Sequence, residues 1–327
     1  MKVLLTGGSG FLGSHVAQLL SDDGHDVRAL VRKTSDTRFL RSLPRVELFE
    51  GSVEDRASCL AACEGVDAVI HAAGLVKARS RAEFELTNVV GTQNVLDAAI
   101  ERQPAVRRFV FVSSLAARAP SPDGRPLPLD APAAPVTAYG RSKLAAERLV
   151  LGAKDKLHVT VVRPTAIYGP RDKEMLQLFQ YAKMRILPSI GAPEGKLTLI
   201  FGEDCARGVI LALHAEVPSG RAYDLDDGTV YSRRELSEGL ERAIGKKALV
   251  SFPIPDLVVK ALGKVTDVYG RVTNRAVMVT SEKVTELLQQ WVGDSSTARA
   301  ELGFTPTVTW EEGARRTAQW YFANHWL

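Results

Sequence analysis

The stretch Thr6-Gly7-Gly8-Ser9-Gly10-Phe11-Leu12-Gly13 constrains this chain more than any other. It directly follows the apolar run Val3–Leu5. It leads into Gly10–Ser21, where Phe11, Val16, Leu19 and Leu20 share one helical face. Gly7, Gly10 and Gly13 stand three residues apart. Glycines so spaced between a strand and a helix let the backbone turn sharply and approach a ligand closely. The helix then offers its unpaired N–H groups and positive dipole end to an anion. In a loop such a run would be a loose turn; between strand and helix it reads as a pyrophosphate cradle.

The pattern that begins there continues. Val27–Val31, Val46–Phe49, Ala68–His71, Phe109–Ser113 and Val159–Val162 read as further strands. Ser58–Cys63, Glu83–Arg102 and Tyr139–Leu151 read as helices between them. Strand and helix taking turns imply βαβ units and a parallel sheet, and near-continuous apolar strands imply a sheet covered on both faces. Six prolines between Arg118 and Thr137 predict a long loop. Beyond Pro164 the pattern loosens. Leu187-Pro188-Ser189-Ile190-Gly191 reads as punctuation, Leu197–Phe201 as a strand, Asp204–Leu213 as a helix, and the tail from Tyr231 to about Trp320 as mostly helical. The expected class is α/β: a doubly wound Rossmann sheet with a smaller, mostly helical C-terminal substrate domain. The expected division is 1–165 with 198–226 for the cofactor, and 166–197 with 227–327 for the substrate.

Composition excludes several alternatives. With 42 basic and 38 acidic residues the net charge is +4, too small to point to nucleic acid. Cys59, Cys63 and Cys205 lack the partners that a zinc site or disulfide framework needs, so no metal is expected. No apolar window is long enough to span a membrane, and the opening Met1–Leu5 run is too short for a secretory segment, so the expected address is cytoplasmic.

Three further elements carry chemistry. The second strand ends Leu30-Val31-Arg32-Lys33, where an NAD site usually has a carboxylate for the ribose 2′-hydroxyl. A guanidinium there suits a 2′-phosphate, so NADP is expected, with NAD as the alternative. Tyr139-Gly140-Arg141-Ser142-Lys143 places a phenol and an ammonium one helical turn apart. A nearby cation would lower the phenol's pKa from near 10 and suit Tyr139 to general acid–base work. Ser113-Ser114 ends the fifth strand, at the edge of a parallel sheet where ligands bind, and Ser114 could hydrogen-bond a reacting oxygen.

Together these residues resemble the extended short-chain dehydrogenase/reductases of the NAD(P)-dependent epimerase/dehydratase superfamily. The resemblance also rests on His71-Ala72-Ala73-Gly74, on Asn88 with Gly91-Thr92, and on Arg163-Pro164-Thr165-Ala166-Ile167-Tyr168-Gly169-Pro170. It implies hydride transfer at nicotinamide C4, with Tyr139 moving the proton, Lys143 binding the nicotinamide ribose, and Ser114 polarising the substrate oxygen. Cofactor contacts are implied at Gly7, Gly10, Phe11, Leu12, Gly13, Arg32, Ser52, Val53, Ala72, Ala73, Gly74, Asn88, Ser113, Tyr139, Lys143, Pro164 and Ile167. A homodimer through Glu83–Arg102 and Tyr139–Leu151 is implied as well.

Two branches compete: nucleotide-sugar epimerases and dehydratases, which keep their cofactor bound, and a group resembling 3β-hydroxysteroid dehydrogenases, dihydroflavonol reductases and ketone reductases. The second fits better. Val27–Arg32 resembles its NADP-binding strand end. Leu197–Phe201 lacks the phosphate-binding arginine common in sugar-nucleotide enzymes. The ending from Ala300 through Trp310 to Trp320-Tyr321 resembles that group, although Thr297 stands where it often has lysine. Ser52 replaces an aspartate that the family often places near the adenine. The expected activity is interconversion of a ketone or β-keto group and a secondary alcohol on a hydrophobic small molecule. Phe252-Pro253-Ile254-Pro255 leads into Leu257, Val258, Val259, Ala261, Leu262 and Val265, an apolar helix that could wall the pocket or simply pack in the core. Lys260 and Lys264 on its flank also allow weak peripheral membrane association. Lys77, Arg79 and Arg81 read as a solvated charge run, or as contacts to a substrate anion.

Overall fold

The computed structural model describes residues 1–128, 130–273, 277 and 280–327. Residues 129, 274–276, 278 and 279, which belong to the expected proline-rich loop and helical tail, lie outside the described residues. Alternating apolar runs become β1 (Lys2–Thr6), β2 (Asp26–Val31), β3 (Val46–Glu50), β4 (Ala68–His71), β5 (Arg108–Val112) and β6 (His158–Pro164). With the Arg221–Leu225 strand they form one sheet in the order Arg221–Leu225, β6, β5, β4, β1, β2, β3. Every neighbouring pair is parallel. The chain order reverses between β1 and β4, where Thr6 lies opposite His71. In an open parallel sheet that reversal leaves a crevice at the carboxyl ends of the strands.

Both faces are covered, as the apolar strands require. One core packs α1 (Phe11–Asp22) and the Gly202–His214 helix on the sheet through Val16, Leu20, Val209 and Leu213. The other packs the Gly91–Glu101 and Ala138–Gly152 helices through Val95, Leu96, Ala146 and Val150. A third core holds the C-terminal layer, where Tyr168, Phe179, Trp310 and Tyr321 meet between helices Leu176–Lys183, Arg233–Ile244 and Trp310–Ala323.

Four local expectations are revised. The helix read over Glu83–Arg102 is helical from Arg81, but Glu85–Val90 is wound as a π-helix. The run Leu197–Phe201 is split: Lys196–Leu197 pairs with Tyr231–Ser232, and Leu199–Phe201 pairs with Ala166–Tyr168. The expected punctuation at 187–191 falls mostly in a strand, Ile186–Ile190, paired with Val250–Ile254. Pro188 is tolerated there because a two-stranded sheet has only edge strands. The apolar helix expected to wall the pocket or fill the core is present as Asp256–Thr273, but Leu257, Val258, Leu262 and Val265 are exposed, while Val259 and Gly263 are buried.

Candidate active site

The turn after β1 is built for close approach. Gly7 has φ +75°, and a Cβ on it would lie 2.6 Å from the Ala73 nitrogen. A Cβ on Gly13 would lie 2.1 Å from the Gly7 carbonyl oxygen, so α1 packs against its own turn only without one. Gly10 is the N-cap of α1 and supplies no side-chain cap, which leaves the first-turn N–H groups open to an anion. Gly7, Gly10, Arg32, Ser52, Val53, Ala72, Ala73 and Gly74 line one open cleft there, together with Ser9, Glu54 and Thr87. Bare glycine backbone, an uncapped helix start and an exposed guanidinium at the end of β2 suit a dinucleotide phosphate chain.

Behind the cleft runs a buried hydrogen-bond chain. The Ala73 N–H donates to Thr6 Oγ1 at 3.1 Å, and Thr6 Oγ1 lies 2.6 Å from His71 Nδ1. His71 Nε2 lies 2.9 Å from Thr92 Oγ1, which donates to the Asn88 carbonyl at 2.6 Å. Every group is satisfied if the His71 ring is neutral with its proton on Nε2. Burial, with the Lys143 charge nearby, lowers its pKa to about 3 and keeps it neutral. The π-turn matters here. Gly91 N reaches back to the Leu86 carbonyl, and Asn88 is buried between two segments. Asn88 Oδ1 accepts from Leu75 N at 2.7 Å, while Nδ2 donates to Leu75 O and Ser142 Oγ.

The Ala138–Gly152 helix carries the phenol and the ammonium. Thr137 caps it by accepting from Gly140 N at 3.0 Å, and the Glu282 carboxylate accepts from Ala138 N. A Cβ on Gly140 would lie 2.2 Å from the Ala116 carbonyl. The glycine lets this helix seat against the short turn Leu115–Ala117, capped by Ser114. Tyr139 is thereby brought beside Ser114, close enough for that hydroxyl to lower the phenol's pKa. Lys143 Nζ donates to the Val112 carbonyl at 2.6 Å and lies 4.3 Å from the centre of the Phe111 ring. It is also 3.7 Å from where a Gly74 Cβ would be, so it lies close behind the Gly74 backbone that lines the cleft.

The electrostatics differ from the expectation. Burial pushes the Tyr139 phenol up to about 12; the Ser114 hydrogen bond lowers it, and the Glu286 charge raises it. Lys143 does not stabilise the phenolate here. It faces the Val112 carbonyl, and burial lowers its own pKa to about 7 against the opposing pull of Glu147. The phenol is therefore held neutral, the form of a proton donor.

The remaining expected residues divide by position. Phe11 sits edge-on to His15 at the start of α1, with Leu12 and Gly13 turned into the protein. Ser113 is buried and donates to Glu147, so its hydroxyl is engaged away from the reacting groups. Pro164 ends β6, and Ile167 is half-buried beside Ile200. Ser52 Oγ accepts from Glu54 N. Lys77, Arg79 and Arg81 pair with Glu174, Glu83 and Glu282 respectively. The three cysteines are free and buried, and among the described residues no cluster could hold a metal. Thr6, Thr92, Thr137, Gly140, Ser142, Glu54 and Glu282 were given no site role from the sequence. Gly140 and Thr137 carried local signals, a glycine inside a helical pattern and a hydroxyl at the helix start; the others act through partners distant in the chain.

The comparisons agree with this geometry. A model described as the NAD dependent epimerase/dehydratase family matches residues 3–225. The chain is 32% identical to a "Ceramide reductase" of Caulobacter vibrioides, across 99% of this chain and 96% of that one. It is 31% identical to a "4-hydroxy-2-methyl-3-oxo-4-farnesyl-3,4-dihydroquinoline-1-oxide ketoreductase" of Stigmatella aurantiaca, across 96% and 94%. The crystal structure of gox2253 superposes with a TM-score of 0.82 at 27% identity, covering 99% of both chains.

Proposed function

The chain belongs to the NAD dependent epimerase/dehydratase family and is an NAD(P)-dependent enzyme of the short-chain dehydrogenase/reductase type, and we propose that it is an NADP-dependent reductase. Its substrate would be a ketone or β-keto group on a hydrophobic small molecule, interconverted with the secondary alcohol. The observation that carries the reading is the half-buried, neutral Tyr139 phenol beside Ser114, one helical turn from Lys143. Two relatives named as reductases, of a ceramide and of a farnesylated quinoline oxide, support the hydrophobic substrate class. Arg32 at the cleft, with Val31 and Lys33 as its chain neighbours, supports NADP over NAD.

In this reading Gly7, Gly10, Phe11, Leu12 and Gly13 seat the pyrophosphate, and Arg32 takes the 2′-phosphate. Ser52 and Val53 border the adenine. Ala72, Ala73, Gly74, Asn88, Ser113, Pro164 and Ile167 border the rest of the cofactor. The nicotinamide, when bound, supplies the hydride. Ser114 positions the substrate oxygen, Tyr139 gives it the proton, and Lys143 holds the ribose. Carbonyl, hydride and proton together balance to the alcohol. The division into a cofactor unit, 1–165 with 198–226, and a substrate unit, 166–197 with 227–327, belongs to the same proposal. So do a cytoplasmic address and a homodimer, the latter supported by the exposed Leu86 and Val90 on the π-turn. Among the described residues no helix is long and apolar enough to cross a membrane.

The test follows nicotinamide absorbance over a panel of hydrophobic ketones. Stoichiometric NADPH consumption is expected. Redox-neutral isomerisation of a nucleotide sugar with no net NADPH use would overturn the reading in favour of an epimerase. Tyr139→Phe should lower turnover by at least about a hundredfold with cofactor affinity nearly unchanged. Arg32→Ala should weaken NADPH binding by about tenfold while sparing NADH.

A further inference from the structure

The helix Asp256–Thr273 is mounted the opposite way round from an ordinary surface helix. Its inward edge is narrow: Val259 is 3% exposed, and a Cβ on Gly263 would lie 3.0 Å from Ser281 Cα. Its outward face carries Leu257, Val258, Leu262, Val265, Val268 and Val272, one helical stripe by spacing, with Leu257 79% and Val272 81% exposed. The strand before it adds exposed Val250 and Phe252. A continuous apolar face of this length marks a binding surface.

Charge identifies what binds. Lys260 and Lys264 stand one turn apart along one flank, and Lys246 and Lys247 precede the strand. None of the four forms an ion pair among the described residues. Of the helix's two acids, Asp267 accepts from Ser281 N and so faces the protein, while Asp256 sits at the N-terminal end. A second copy docked antiparallel here about a two-fold axis would set this cationic edge against itself. Anionic lipid headgroups would instead neutralise the lysines while the acyl region took the apolar stripe.

We propose that the Val250–Ile254 strand and the Asp256–Thr273 helix form a docking face for an anionic lipid bilayer, with the apolar stripe inserted at the headgroup boundary and Lys260 and Lys264 at the headgroups. The docked helix packs on the Ser281–Leu288 helix, whose Glu282 accepts from Ala138 N at the start of the Tyr139 helix. Docking would therefore place the Ser281–Leu288 helix, which meets the start of the Tyr139 helix, close to the bilayer, where a water-insoluble ketone partitions. That consequence rests on the substrate reading above; the docking itself does not.

Co-sedimentation of the purified full chain with phosphatidylcholine vesicles, and with vesicles also containing phosphatidylglycerol, tests it without reference to turnover. Wild type should pellet with the mixed vesicles, several-fold more than with neutral ones, and raising salt should weaken the binding. Leu257→Asp with Val265→Asp should abolish it. Lys260→Glu with Lys264→Glu should weaken it about tenfold or more. Both doubles change exposed side chains, so thermal midpoint and NADPH affinity should stay at wild-type values. Wild type remaining in the supernatant, equal binding to neutral vesicles, or unchanged binding of both doubles would each overturn the proposal. So would a dimer, seen by sedimentation velocity, that the same substitutions dissolve while vesicle binding persists.

Discussion

His71 shows how much a single buried side chain can organise. It links the glycine turn, through Thr6, to Asn88, through Thr92. Protonation would convert Nδ1 from acceptor to donor and break the chain at Thr6. The sign is fixed: a histidine whose folded pKa, about 3, lies below its ordinary 6.5 makes the native state lose stability as pH falls between those values. Asp172 and Asp227 are both raised to about 6 by burial and act oppositely between about 6 and their ordinary 3.8, so the wild-type curve alone cannot isolate His71. The comparison is with His71→Gln. The stability advantage of wild type over this variant, from urea unfolding, should shrink steadily as pH is lowered from about 6.5. An advantage constant with pH would mean that the ring is not held neutral. By NMR, the wild-type ring should not titrate between about pH 8 and 5.

At the scale of elements, the decisive contact is helix against turn. Gly140 seats the Ala138–Gly152 helix on the Ala116 carbonyl, which brings Tyr139 to Ser114. Gly140→Ala should cost about 1–3 kcal/mol by overpacking, even though alanine is the better helix former. Turnover should drop more than cofactor affinity, because the shift separates the phenol from the serine while the Gly7 cleft is untouched. Unchanged turnover would show that the two elements need not touch so closely. Six of the seven parallel strands, the glycine turn and the Tyr139–Lys143 spacing were legible because each is written in adjacent residues or a local period; the seventh strand, Arg221–Leu225, went unread. The π-turn at Glu85–Val90 was not, because a 3.6-residue pattern cannot register one extra residue whose purpose is to aim Asn88 at Leu75 and Ser142. Nor was the outward apolar face of Asp256–Thr273, since amphipathicity gives a stripe but not which side of it meets the protein. The pull expected of Lys143 on Tyr139 failed for a related reason: spacing puts them one turn apart but cannot reveal that Val112 and Phe111 hold the ammonium.

Across the whole molecule, a buried charge network ties distant segments to the active-site edge of the sheet. Arg163 on β6 makes paired hydrogen bonds to Glu147 on the Tyr139 helix, at 2.7 Å and 3.0 Å. Its other side approaches Asp224 on the Arg221–Leu225 strand at 4.0 Å. Asp224 accepts from Arg118 at 2.9 Å, and Arg118 in turn donates to the Pro128 carbonyl, pinning the proline-rich loop. Side chains this deeply buried repay their desolvation only when partners and geometry are complete. Glu147→Ala strands the Arg163 guanidinium and removes the acceptor of Ser113, and should destabilise the fold by about 3–5 kcal/mol. It also removes the charge that raises the Lys143 pKa, so the ammonium should lose its proton at a still lower pH. Replacing both partners, Glu147→Leu with Arg163→Met, should recover most of the stability, because a packed apolar pair leaves no unpaired charge. It should not restore the Lys143 pKa, because the carboxylate is still missing. Thermal unfolding of the single and double variants separates the two effects: a single variant melting like wild type would mean that the network does not hold these segments, and a double no better than the single would mean that the paired charges themselves, rather than the absence of an unpaired one, are what the fold requires.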